Sequence, residues 1–193
     1  MKTNDISRKV TLSGISDIMF DRYAGDNKTE LRPDQKLYLK SDGVICLPSV
    51  NVLSLLSAQN TPSAPKRFLD SRKYKSVAAA LCSFVSIGPM EIPFLRDGQP
   101  IVFGGFEANE RDPKSGCYVH RAVARLKNGI PNPKVRPVLA TPWELQFTLT
   151  LYQNDEVNEE TVQNLIVRAG PAIGLGTFRG VYGKFQVTGW EAA

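Results

Sequence analysis

The sequence predicts an α+β fold: a ferredoxin-like split βαβ antiparallel sheet with an inserted basic subdomain. Three observations predict it. First, the last third reads strand, helix, strand, with the period changing from two to 3.6 and back. Second, the first third supplies a matching strand followed by a hairpin and a helix. Third, the stretch between about 61 and 139 is too long for two simple strands and holds both basic clusters. A single domain is expected, with its core in 8–60 and 140–191 and the insertion in 61–139.

In chain order, "RKVTLSGISDIMF" opens as a strand, with Val10 and Leu12 alternating with Lys9, Thr11 and Ser13. "GDNKTELRPDQ" is a polar loop. "KLYLKSDGVICLP" is a short hairpin turning on Asp42-Gly43, a pair that favours tight turns. "PSVNVLSLLSAQN" is a helix with Ser49 as its expected cap. "TPSAPKRFLDSRKYK" reads as an exposed basic loop because Pro62 and Pro65 interrupt it. "SVAAALCSFVSI" reads as a buried strand with a helical start as the alternative, and "CYVHRAVARL" as a strand rich in arginine. "NGIPNPKVRPVLATP" has prolines at 131, 133, 137 and 142, which predict an extended connector rather than an interior strand.

The C-terminal third is the clearest. "WELQFTLTLY" sets Leu145, Phe147, Leu149 and Leu151 on one face and Glu144, Gln146, Thr148 and Thr150 on the other. In "NDEVNEETVQNLIVRAG", Asn158 is the expected N-cap, and Glu159 and Glu160 suit the positive end of the helix. Val162, Leu165, Ile166 and Ala169 form its apolar stripe, and Gly170 stands where a C-cap is expected. "VYGKFQVTGW" is the last strand, with Val181, Phe185 and Val187 inward and Tyr182, Lys184, Gln186 and Thr188 outward. The open face of the sheet is then polar, with Lys9, Thr11, Gln146, Thr148, Lys184 and Gln186.

Composition narrows the partners. The chain has 193 residues, 42% of them hydrophobic, with no apolar run long enough for a membrane span and no signal-peptide core at the start. A cytoplasmic location is expected. Cys46, Cys82 and Cys117 have neither zinc nor disulfide spacing, and all three are expected as buried free thiols; no cofactor or metal is expected. Lys and Arg total 24 against 19 Asp and Glu, and the excess is concentrated. Residues 66–75 carry five basic and one acidic residue, and residues 111–136 carry seven and one. Clustered positive charge points to a polyanion.

The segment "AGPAIGLGTFRGVYGKFQV" has glycines at 170, 174, 176, 180 and 183. It follows a helix and opens a strand, the reverse of a dinucleotide fingerprint, and it has no Gly-Lys-Ser/Thr of a P-loop. A permissive backbone beside Arg179 and Lys184 can receive a phosphate or a stacked base from a single strand. A tight helix-to-strand connection is the alternative reading of the same glycines.

These features resemble the RAMP superfamily of CRISPR–Cas systems. The chain is most similar there to the backbone subunits that polymerise along guide RNA and to their short phage-encoded relatives. The resemblance lies in "WELQFTLTLY", "NEETVQNLIVRAG", "IGLGTFRGVYGKFQV" with its Tyr182-Gly183-Lys184-Phe185, and "LYLKSDGVICLPSVNVLSLLS". It implies a sheet core, an inserted domain or thumb, and repeated subunits gripping single-stranded RNA by its backbone. It implies copies of the chain and other CRISPR-type subunits as partners. On this resemblance Gly174, Gly176, Arg179 and Lys184 line the strand, and Lys66, Arg67, Arg72, Lys73 and Lys75 form the gripping element. Arg121 and Arg125 add the basic strand of the second cluster. The chain is shorter than typical backbone subunits and has no RRM stacking signature, which favours backbone over base contacts. The residues do not separate RNA from DNA, since that rests on contacts to the 2′-OH.

The function expected is non-catalytic binding of single-stranded RNA. Two rivals stand beside it. One is a phage-encoded decoy that binds a CRISPR complex by protein contacts alone. The other is an endoribonuclease using His120, the only histidine, with Tyr118 or a lysine as partner. Asp17, Asp21 and Asp26 follow the first strand and are expected to solvate and cap the loop, although in some related subunits a single Asp there cuts RNA.

Overall fold

The computed structural model describes residues 4–26, 28–107, 116–125, 129 and 131–193; of Ala124 and Arg125 it describes the backbone. Among the described residues, ten strands and four α-helices occur in the order β1 (Ile6–Gly14), β2 (Ile18–Met19), β3 (Cys46–Pro48), α1 (Ser49–Ser57), α2 (Ala64–Phe68), α3 (Tyr74–Phe84), β4 (Val85–Gly88), β5 (Glu91–Arg96), β6 (Gln99–Pro100), β7 (Cys117–Arg125), β8 (Pro131–Leu139), β9 (Glu144–Leu151), α4 (Glu159–Ala172) and β10 (Phe185–Ala192). The mixed α+β class is as expected. The main sheet is antiparallel throughout and runs β10-β1-β9-β5-β3, with β4 continuing the β5 position along β9 and β6 hairpinned onto β5.

The alternation in β1 and β9 places the core. Val10 and Leu12 pair with Phe147 and Leu145, and all four are buried together with Leu149 and Leu151. Each such side chain contributes roughly 1.5–3 kcal/mol on burial. Leu55 and Leu56 of α1, Leu81 of α3, and Val162, Leu165 and Ile166 of α4 join the same cluster. At its centre Phe94 meets Phe20 and Trp143 edge-on, with ring centroids 5.7 and 5.6 Å apart. The other face of β1 and β9 is polar, with Ser7 Oγ and Thr150 Oγ1 at 2.9 Å and Lys9 and Gln146 exposed.

Several expectations need correction. Ser49 is the first residue of α1; Pro48 occupies the cap and no side chain caps the helix. The expected loop 61–75 contains α2, with Pro65 in its first turn, and the start of α3. Proline fits there because the first helical amide has no partner within the helix. The expected strand 76–87 is mostly α3, with only Val85 onward extended. Ala78–Ala80 favour helix, and an unbroken apolar run has no period to oppose them. Cys82 on α3 is exposed, whereas Cys46 and Cys117 are buried, which pushes their thiols up to about 11 and about 12.

β8 is a true strand despite its prolines. It pairs with β7 over nine residues, from Cys117↔Leu139 to Arg125↔Pro131. Pro131, Pro133 and Pro137 share one parity, and the Pro137 carbonyl accepts from Phe20 N, on the side away from β7. The missing donors therefore fall on the outer side and leave the ladder to β7 intact. Within the span expected as an insertion, β4 and β5 belong to the main sheet through β9. The strands of that span outside the main sheet are β7 and β8, a hairpin that forms a three-stranded sheet with β2.

Arg8 on β1 pairs with Glu159 in the first turn of α4, and Trp190 Nε1 on β10 donates to the same carboxylate at 2.8 Å. The hydrogen bond from Arg8, then that from Trp190, holds the Glu159 carboxyl below its ordinary value of 4.5. A depressed carboxylate contributes stability above the unfolded value, and that contribution is lost as pH falls through the folded value. Thermal melts of Glu159→Gln should therefore show a smaller drop across this acid window than wild type. An identical acid limb would mean the pair contributes nothing.

Candidate nucleic-acid interface

The turn after β1 ties the future site together. Asp17 accepts from Thr141 N at 2.9 Å and from Tyr118 Oη at 2.8 Å, and its carbonyl accepts from Gly183 N at 2.7 Å. One acidic residue thus links β7, the start of β9 and the glycine segment. Thr177 N donates to Met19 O at 2.9 Å and Gly176 N to Asn51 Oδ1 at 3.0 Å, which fastens the segment to β2 and α1.

The glycines have their own structural reasons. Gly170 lies inside α4, where a Cβ would strike the Phe185 carbonyl, so it is not the C-cap; Ile173 is. Gly174 follows with φ 81°, its amide bonded to Ala169 O at 3.1 Å. Gly176 at φ 74° packs against Met19 O, and Gly183 at φ 72° packs against Leu175. The amides of Gly174, Gly176 and Gly183 are thus all used within the chain. Val181, expected inward, is 57% exposed, and β10 begins only at Phe185, so Lys184 precedes the strand. Lys184 N donates to Ser16 Oγ at 2.9 Å.

Arg179 is the half-buried cation of the segment. Its Nε donates to Gly176 O at 3.3 Å, its Nη1 to Pro62 O at 3.4 Å and its Nη2 to Asn51 Oδ1 at 3.4 Å. Burial holds its pKa below the usual arginine value. It forms no salt bridge among the described residues. The bond to Pro62 brings it beside the approach to α2. Beyond that point Lys66 and Arg67 on α2, Arg72 and Lys73 in the following turn, and Lys75 on α3 are all exposed. Asp70, the one acid among them, is exposed as well and accepts from Arg72 N at 2.8 Å. On α4, Arg168 adds a further exposed cation, 4.3 Å over the Phe68 ring.

A second patch lies on the hairpin. Arg121 is exposed, on the strand face opposite to His120; the Arg125 side chain lies outside the described residues. His120 pairs with Arg136 across the hairpin and its ring lies 5.8 Å from Tyr182, which lies 6.0 Å from Phe178. The expected site residues thus divide between a helical patch and the hairpin, and Arg179 stands at the end of the first. Phe178, Tyr182, Asn51 and Arg168 were not expected there. The spacing "TFRGVYGKF", aromatics interleaved with glycine and cations, is the signal that could have found the first two.

The aspartates do not gather. Asp21 binds Arg136 at 2.7 Å and Lys36 at 3.8 Å. Asp26 closes a turn, accepting from Lys28 N and Thr29 N, both at 2.6 Å, and from the Thr29 hydroxyl, bonds that hold its carboxyl below the ordinary range. No group of three or more His, Cys, Asp or Glu able to hold a metal occurs among the described residues. No helix among them is long and apolar enough to cross a membrane.

No protein-family model matches the chain, and no curated protein matches it in sequence. Solved structures do match in fold. One is a chain in the cryo-EM structure of the Type III-B Cmr-beta bound to cognate target RNA, with a TM-score of 0.60 and 9% identity. The match covers 97% of this chain and 60% of that one, so this chain spans only part of its neighbour's length. The chain therefore shares its fold with that neighbour.

Proposed function

We propose that the protein binds single-stranded RNA as a backbone-type CRISPR-associated subunit, gripping phosphates rather than cutting them. The observation that carries this reading is the run of exposed cations from α2 into α3, with Arg179 reaching Pro62 O at its near end. The fold shared with a chain solved in an RNA-bound Cmr assembly supports it. So does the strand order β10-β1-β9-β5-β3, which we interpret as a split βαβ of ferredoxin type with the β7–β8 hairpin as a reduced thumb. Copies of the chain and other CRISPR-type subunits along the RNA are the partners this reading implies.

Mechanistically, each lysine or arginine that neutralises a phosphate releases a counterion, so affinity falls with salt at a slope of about 0.7 per contact for a single strand. The glycine segment contributes by shape, since its amides are engaged within the chain and its backbone is held fixed. Titration of a labelled single-stranded RNA at several salt concentrations tests the reading. Salt-dependent binding with the RNA intact after long incubation is the expected result. No binding at low salt, or His120-dependent cleavage, would replace it with the decoy or the nuclease reading.

A further inference from the structure

Phe178 is the anomaly of the glycine segment. Its φ is 52°, left-handed backbone that a bulky side chain rarely adopts, while glycine occupies the other left-handed positions at 174, 176, 180 and 183. It is also 55% exposed and belongs to neither hydrophobic cluster. The fold gains little from a phenyl ring there and would accept glycine more readily.

The ring has aromatic company. Tyr182 lies 6.0 Å away at 33°, and His120 continues the row 5.8 Å from Tyr182. Tyr182 N donates to Phe178 O at 3.3 Å, closing the turn that sets the two rings side by side. Thr177 and Gly183, on either side of that turn, are pinned to Met19 O and Asp17 O. The row is therefore held in place before any ligand arrives.

The surrounding charge indicates what covers it. Arg179 and Lys184 lie in the same segment, and Arg136 shares the hairpin face with His120. The nearby acids, Asp17 and Asp21, are committed to Thr141 and Tyr118, and to Arg136 and Lys36. Flat apolar rings among cations suit a polyanion that carries flat faces of its own. We propose that Phe178, with Tyr182 and His120 behind it, is a stacking platform for a base of the bound single-stranded RNA. This rests on the RNA-binding reading and adds to its phosphate grip a contact blind to base identity.

The test compares a labelled oligouridylate with an abasic ribose-phosphate oligomer of equal length, by anisotropy over a range of salt. Wild type should bind the oligouridylate more tightly. Phe178→Ala should weaken that binding about 5- to 100-fold while leaving abasic binding and the salt slope unchanged. Phe178→Gly should show the same loss and melt no lower than wild type, which separates stacking from folding. If wild type binds both oligomers equally, or Phe178→Ala binds oligouridylate as wild type does, the platform is overturned and the phosphate grip stands. Unchanged RNA affinity with an altered particle mass would assign the rings to a protein contact instead. Failure of wild type to bind any RNA would overturn both readings.

Discussion

Joint reversal of Lys66, Arg67, Arg72 and Lys73 to glutamate should abolish measurable binding of single-stranded RNA near physiological salt while leaving the melting temperature almost unchanged. All four side chains are exposed on α2 and the turn into α3. Lys66 reaches only the Gln59 carbonyl at 3.2 Å, so the core does not depend on them. If each contacts one phosphate, neutralising all four lowers the salt slope by about 3, and reversal adds repulsion. Loss should be equal for all RNA sequences, because phosphates carry no sequence. Titrations of several unrelated oligomers check this. An unchanged slope would move the RNA path away from the helical layer, and loss confined to certain sequences would indicate base readout there. Reversing Arg121 alone, on the hairpin, should cost far less.

The largest stability loss should come from Gly183→Ala. At φ 72° any Cβ is strained, and here it would overlap the Leu175 carbonyl, which is backbone and cannot swing aside. Two hydrogen bonds hold the residue where it is, Leu175 N to its carbonyl at 2.9 Å and its own amide to Asp17 O at 2.7 Å. A loss of about 3 kcal/mol or more is expected in denaturant unfolding, well into the tail of single substitutions. Gly180→Ala is the control: φ is 91° but nothing lies within 4 Å, so only backbone strain of about 1 kcal/mol applies. Equal and small effects at both positions would show that the segment adjusts freely, and its shape would then explain nothing about binding.

Elements whose burial alternates could be read directly from sequence. β9 puts every second side chain into the core and β1 does so at Val10 and Leu12, and α4 carries both an apolar stripe and an Asn158 cap, with its Oδ1 2.9 Å from Thr161 N. α3 was obscured because Ala78–Ala80 and Leu81 form an apolar run in which period two and period 3.6 cannot be told apart. β8 was obscured because proline argues against a strand, and only the register shows that its three prolines share one side. The candidate site was legible in part for a similar reason. Charge accumulates locally, so the run at 66–75 stands out in the sequence. The aromatic row does not, because His120 meets Tyr182 only through the hairpin's placement beside the glycine segment. The glycines were visible as a group, but their separate duties depend on which carbonyl each one faces.

The prolines of β8 have a consequence for how neighbouring molecules can join. A strand recruits another by offering a regular row of amide donors, and at 131, 133 and 137 that row is blank along the side away from β7. β2 pairs with its last two residues, Val138 and Leu139, while Phe20 N takes the Pro137 carbonyl and Lys36 Nζ the Val135 carbonyl, so that margin is closed partly by the prolines and partly by the chain's own cover. A second copy cannot extend this sheet by zipping onto β8. Any orderly joining of copies has to use another margin, such as the outer edge of β7 or of β10, or the fit of side chains.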